Sequence, residues 1–169
     1  MPTQVPFDVV IYGASGFTGR LVAEYMSQQY DRSVNWAMAG RSATKLAAVR
    51  DEIGAAKDTP LVVADASDPA SLRAMVANAR CIITTVGPYQ LYGSDLVAAC
   101  AELGTDYVDL SGEPAWMHEM ITKYHDAAVK SGARIVHSCG FDSIPFDLGV
   151  YFLEQAALEK FGKPLPRVR

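Results

Sequence analysis

Three glycines at even spacing, Gly13, Gly16 and Gly19, close an apolar run and open a helical pattern in the stretch "VVIYGASGFTGRLV". A strand that turns directly into a helix leaves the first helical amides without intrahelical partners, and the helix dipole sets its positive end at the turn. Each glycine has its own task there. Gly13 permits the tight turn, Gly16 lets a diphosphate approach the main chain, and Gly19 lets the helix pack close on the strand. Ala14 and Ser15 lie between them, and the free N–H groups around Phe17 and Thr18 would face the diphosphate of a dinucleotide. The spacing is G-x-x-G-x-x-G, with Ala14 where the commoner G-x-G-x-x-G form has its second glycine. No Gly-Lys-Ser/Thr closes the turn, which excludes a P-loop.

The end of the second apolar run selects the dinucleotide. An NAD site usually places an acid there, about 20 residues past the glycines, to bind the ribose hydroxyls. Here "AMAGRSATKL" has Ala39 or Gly40 in that place, followed by Arg41, Ser42 and Lys45. A carboxylate would repel a 2′-phosphate, whereas a guanidinium forks onto it. NADP(H) is therefore expected in preference to NAD(H). Asp65, at the end of the third run, either accepts from the adenine amine or caps the next turn. Val86, Gly87, Pro88 and Tyr89 end the fourth run, beyond the point where strand order reverses. A nicotinamide ribose belongs there, with Gly87 allowing close approach and Pro88 stiffening the loop.

Other side chains could also carry chemistry. Asp109, Ser111 and Glu113 in "YVDLSGEPAWM" either face the nicotinamide pocket or cap the helix opened by Pro114. Asp142 and Ser143 read as caps of a final helix with Asp147 in its first turn. Cys139 is either a small buried residue or a nucleophile whose pKa is lowered by the helix start that follows. None of the eight tyrosines has a lysine four positions later, which excludes the proton-donor pair of short-chain reductases. His118 and His125 read as surface histidines, and no His/Cys cluster has zinc spacing.

These residues need a scaffold that brings run-ends together, and the chain supplies one. Apolar, unalternated runs at Phe7–Tyr12, Val34–Ala39, Leu61–Ala64, Cys81–Val86, Tyr107–Leu110 and Arg134–His137 read as strands buried on both faces. Helices lie between them. The first runs from about Phe17 with Leu21, Val22, Tyr25 and Met26 inward, and Asp31-Arg32-Ser33 is its closing turn. The next turns Leu46, Val49 and Ile53 inward. Ser67-Asp68-Pro69 starts the third, with Leu72, Met75, Val76 and Ala79 on its apolar face. "GPYQLYG" reads as a loop leading to a helix over Ser94–Leu103. Gly104 and Gly132 end helices, and a last helix covers Phe146–Lys160. Strands alternating with helices give an α/β fold, a Rossmann-type doubly wound parallel sheet of order 3-2-1-4-5-6.

Length and composition narrow the function classes. The 169 residues suit one core, and 50% hydrophobic with 20% charged residues is an ordinary globular balance. A net charge of -4 with no basic run argues against a nucleic-acid surface. No uncharged stretch approaches the roughly 20 apolar residues of a transmembrane span, and the N-terminus lacks an export signal. Three cysteines without a CxxC, Cys81, Cys100 and Cys139, point to reduced thiols and a cytoplasmic setting.

The segments "GASGFTGR", "AGRS", "TTVGPYQLYG", "YVDLSGE" and "CGFDSIPFDLG" together resemble the saccharopine dehydrogenase-like oxidoreductases. The last is the most specific and points to their enoyl-reductase-like branch. The resemblance covers nearly the whole chain. It implies an NADP-binding N-terminal domain, here residues 1–160, with 161–169 a tail or the start of a second α/β domain. That second domain would hold a small-molecule or lipid-like substrate and form a homodimer, and this chain alone would not turn over. No catalytic residue is assigned. Two rivals stay open: a semialdehyde-dehydrogenase-like enzyme using Cys139, and a non-catalytic NADP-binding sensor.

Overall fold

The structure, a computed structural model, describes residues 5–30 and 33–168. Asp31 and Arg32 of the expected first turn lie outside the described residues. The elements run β1 (Phe7–Tyr12), α1 (Phe17–Gln29), β2 (Trp36–Gly40), α2 (Ala43–Glu52), β3 (Leu61–Val63), α3 (Pro69–Val76) and β4 (Ala79–Thr84). They continue with α4 (Tyr89–Tyr92), α5 (Ser94–Leu103), β5 (Asp106–Val108), α6 (Pro114–Ser131), β6 (Ile135–Val136) and α7 (Ile144–Phe161). The strands form one six-stranded sheet of order β3-β2-β1-β4-β5-β6, with every pair parallel. This is the doubly wound order expected from the alternation.

β1 is central, and its side chains alternate between two cores. Val10 and Tyr12 join Ala37, Leu72, Ile82, Leu96 and Tyr107 on the face covered by α3, α5 and α6. Ile11 joins Ala23, Met26, Met38 and Leu46 on the face covered by α1 and α2. Burying a side chain such as Leu46, Leu72 or Ile82 contributes about 1.5–3 kcal/mol each. Burial on both faces is why the strands read as unbroken apolar runs.

Several helix ends follow from single residues. Asp68 caps α3, its Oδ1 accepting from the amides of Ala70 at 3.0 Å and Ser71 at 3.3 Å, with Pro69 in the first turn. Gly104 and Gly132 end α5 and α6 at φ of +79° and +86°, the left-handed conformation that glycine adopts without a Cβ penalty.

Five expectations change. The inward face of α1 is Gly19, Ala23 and Met26, while Leu21 and Tyr25 face out; α1 lies so close to the sheet that small residues fill the contact. Ala79 belongs to β4, which starts and ends two residues before the expected run. The "GPYQLYG" loop contains the one-turn helix α4. β2, β3, β5 and β6 differ from their expected bounds by one or two residues at their ends, and α7 starts earlier, at Ile144. α7 has large apolar side chains exposed along its length, Phe146, Leu148, Tyr151 and Phe152 among them, and Ala157 is its one buried residue.

Candidate dinucleotide site

The carboxyl ends of β1, β2, β3 and β4 open onto a cleft of about 440 Å³, lined in part by Gly13, Ser15, Gly16, Arg41, Asp65 and Gly87. Its floor is the glycine turn. The amides of Gly13 and Ala14 both donate to the carbonyl of Ala39, at 2.9 and 3.1 Å, and that of Gly16 donates to Gly13 O at 2.9 Å. Gly13 has φ +91°, and a Cβ there would meet Thr85 Oγ1 at 2.7 Å. A Cβ on Gly19 would lie 2.1 Å from the carbonyl oxygen of Gly13, so the helix rests directly on the strand's backbone. Ala14 is buried beneath the turn.

No side chain caps α1, and its first turn holds no acid. The positive end of the helix is therefore bare where it meets the cleft. Phe17 points to solvent at 77% exposure and Thr18 is also exposed, so what these two positions offer the cleft is main chain.

At the β2 end, Gly40 is the last strand residue and Arg41 follows it, exposed on the cleft wall. Ser42 is committed elsewhere: its Oγ accepts from Lys45 N at 3.3 Å and caps α2. Asp65 caps a turn with one oxygen, Oδ1 accepting from the amide and the hydroxyl of Ser67 at 2.9 and 2.8 Å. Those bonds hold its carboxyl below the usual range. Burial, and then the Asp65 charge, push the Tyr12 phenol up to about 12, so this cleft residue stays neutral.

At the β4 end, Thr85, Val86 and Gly87 line the cleft. Pro88 is the N-cap of α4. Tyr89 turns inward: it is 5% exposed, its hydroxyl donates to Thr84 O at 3.2 Å and accepts from Leu110 N at 3.4 Å. Tyr92, one turn further along α4, lines the cleft instead.

The family description "Saccharopine dehydrogenase NADP binding domain" matches residues 9–136, from β1 to the end of β6. The chain belongs to this family. Among relatives, a trans-acting enoyl reductase of Mycobacterium ulcerans is 53% identical over 157 residues, covering 92% of this chain and 37% of that protein. One from Mycobacterium tuberculosis is 50% identical over 159 residues, covering 94% of this chain and 38% of that protein. The chain thus spans well under half the length of these relatives. Two solved structures share the fold. Saccharopine dehydrogenase from Saccharomyces cerevisiae has a TM-score of 0.67 at 21% identity, over 88% of this chain and 31% of that one. Triphenylmethane reductase from Citrobacter, complexed with NADP(H), has a TM-score of 0.56 at 16% identity, over 88% and 55%.

NADP(H) is the cofactor of this saccharopine dehydrogenase-like NADP-binding domain, and the residues present fit it. The glycine cradle has no room for a Cβ at Gly13 or Gly19, the α1 start is uncapped, and β2 ends in Gly40 and Arg41 without an acid. A second hollow of about 430 Å³ lies between α6 and β6. Its walls are largely aliphatic and hold no arginine or lysine.

The remaining polar candidates form a separate cluster beside β5. Asp109 is buried and accepts from Ser111 N at 3.0 Å, Ser138 N at 2.8 Å and the Tyr107 hydroxyl at 2.9 Å, with His137 Nδ1 at 2.6 Å. It neither lines the cleft nor caps α6. The Ser111 hydroxyl accepts from Glu113 N at 3.2 Å, and Glu113 turns its carboxylate toward α4. Ser143 occupies the N-cap of α7 without a side-chain bond, and Asp147 lies in its first turn. Cys139 is half-buried, and its thiol is pushed up by burial and then by the Asp109 charge. His118 and His125 are exposed. No cluster of three or more His, Cys, Asp or Glu side chains fit for a metal occurs among the described residues. None of their helices is long and apolar enough to cross a membrane.

His137 and Tyr92 carry weaker signals in the sequence than the residues expected at the site. His137 has the signal of a polar residue at the mouth of an apolar strand. Tyr92 lies three positions after Tyr89, on the same turn of helix.

Proposed function

We propose that this chain is the cofactor half of an NADP(H)-dependent oxidoreductase of the enoyl-reductase-like branch, acting on a small-molecule or lipid-like substrate. The observation that carries the cofactor preference is the end of β2, where Gly40 gives way to Arg41 on the cleft wall with no carboxylate at the ribose position. The names of the mycobacterial relatives support reduction of an enoyl carbon–carbon double bond.

Bound NADPH supplies a hydride; the chain's own residues bind and orient. The amides of the Gly13–Gly19 turn and the α1 dipole hold the diphosphate. Arg41 pairs with the 2′-phosphate, and Asp65 lies beside the adenosine with its second oxygen. Val86, Gly87 and Pro88 set the wall for the nicotinamide ribose, and Gly87 keeps that wall thin. Residues 1–160 form the dinucleotide-binding unit, and 161–169 lead toward a second, substrate-holding and dimerising domain. The share of the relatives that this chain spans supports that division. By itself the chain binds cofactor without turnover. Three free cysteines support a cytoplasmic setting.

Melting with NADPH and with NADH tests the reading. A ligand at 100 times its Kd adds about 2.7 kcal/mol of stability. The expected result is a larger rise in Tm with NADPH than with NADH at equal concentration. Equal rises would overturn the assignment of Arg41.

A further inference from the structure

Glu113 sits between β5 and α6, in the stretch "YVDLSGEPAWM", and reaches across to the loop that follows β4. Its Oε1 accepts from Tyr89 N at 2.8 Å and its Oε2 from Gln90 N at 2.8 Å. Those amides open α4, whose N-cap residue Pro88 supplies no side-chain bond. One carboxylate therefore satisfies two helix-start donors through charge-assisted bonds.

Trp116, in the first turn of α6, holds the same loop. Its ring lies 5.6 Å from that of Tyr89, and its Nε1 donates to Ser94 Oγ at 3.1 Å. A Cβ on Gly93 would meet the Trp116 ring at 2.7 Å, so the chain has no slack where α4 passes into α5. The loop held this way begins with Val86 and Gly87 and reaches Tyr92, all three on the cleft wall. What the carboxylate grips is a wall of the cleft, and it does so from an element that lines none of it.

We infer that Glu113 is a positioning residue for the nicotinamide half of the cofactor. Resting on the NADP(H) reading above, it presets the Val86–Tyr92 wall against α6 so that this half meets a fixed surface. Preorganisation of this kind raises affinity by removing the cost of ordering the loop on binding. The adenosine half is served by the ends of β2 and β3, which β1 and β4 separate from β5 in the sheet. Loss of the Glu113 carboxylate therefore acts on one half of the ligand alone.

The experiment titrates NADPH and adenosine 2′,5′-bisphosphate, which lacks the nicotinamide half, into wild type, Glu113→Ala and Glu113→Gln. Glu113→Ala is expected to raise the NADPH Kd about tenfold, the scale of losing hydrogen bonds to a charged group. Glu113→Gln keeps one acceptor and a near-native shape, and is expected to show a smaller rise. The bisphosphate Kd is expected to stay within about twofold in both variants, as for sites without shared partners. A parallel loss for both ligands would mean that Glu113 serves only the fold, and an unchanged NADPH Kd would mean that the wall is set without it. Either result overturns the inference while the cofactor reading stands. Wild type that binds neither ligand would instead bring down the cofactor reading, and this inference with it.

Discussion

Asp109 and His137 form a buried pair, with Oδ2 2.6 Å from Nδ1 and side-chain exposures of 0% and 8%. The residues lie at the ends of neighbouring strands β5 and β6, and the carboxylate also collects two amides and the Tyr107 hydroxyl. Nε2 of His137 has no hydrogen-bond partner among the described residues, and the ring is boxed edge-on by Tyr107 and Trp116 at 5.7 and 5.2 Å. The pair fixes how β5 and β6 leave the sheet.

Replacing Asp109 removes a buried carboxylate that accepts from two amides and the Tyr107 hydroxyl and lies 2.6 Å from His137 Nδ1. Asp109→Asn is expected to cost about 2 kcal/mol at pH 7, the scale of losing hydrogen bonds to a buried charged group. Burial opposes ionisation of Asp109, but the bonds from His137, Ser111, Ser138 and Tyr107 prevail and lower its pKa below 3.8. A carboxyl lowered on folding contributes stability above its unfolded pKa and loses it as the pH falls through the folded value. Urea midpoints of the two proteins should therefore differ most near neutrality and converge below pH 3.8.

Gly19→Ala would place a Cβ 2.1 Å from a backbone oxygen. No side-chain rotation relieves that contact, so α1 must lift from the sheet. The expected cost is about 3 kcal/mol, at the upper end for overpacking, together with loss of the NADPH-induced rise in Tm. Gly54, whose added Cβ meets nothing within 4 Å but whose φ is +69°, gives a comparison. Gly54→Ala should show backbone strain of about 1 kcal/mol and keep the ligand response.

Arg41→Ala removes the cation from the cleft wall. The NADPH Kd is expected to rise about tenfold, the loss of a hydrogen bond to a charged group, while the NADH Kd holds. Calorimetric titration of both nucleotides reads the narrowing directly. Equal losses for both would show that Arg41 recognises something common to them.

The Cys139 thiol lies above its ordinary value of 9.0, opposite to what a nucleophile at neutral pH requires. Iodoacetamide at pH 7 should label Cys139 more slowly than it labels glutathione, followed by peptide mass spectrometry. Fast labelling would revive a thioester mechanism.

Strand order and the glycine turn were legible because they rest on local signals: unbroken apolar runs, and glycines at the one junction where backbone meets backbone. The face of α1 was not. Leu21 and Tyr25 look like core by size, but a helix seated on Gly13 through Gly19 has room only for Ala23 and Met26 beneath it. Tyr89 and Glu113 illustrate a second limit. Tyr89 was readable as part of the nicotinamide-ribose loop and Glu113 as a pocket residue or a cap, and what each does depends on a partner more than 20 positions away. No periodicity carries that pairing. Asp65 and Ser42 resolved locally, because each binds the amide of a residue two or three positions on.

An α-helix that bares Phe146, Leu148, Tyr151 and Phe152 to water governs how the chain behaves in the test tube. Apolar area of this kind is hidden more strongly as sulfate is added. Handled alone, the polypeptide should therefore clump and salt out early, and low ionic strength is the medium in which its nucleotide affinities are best measured.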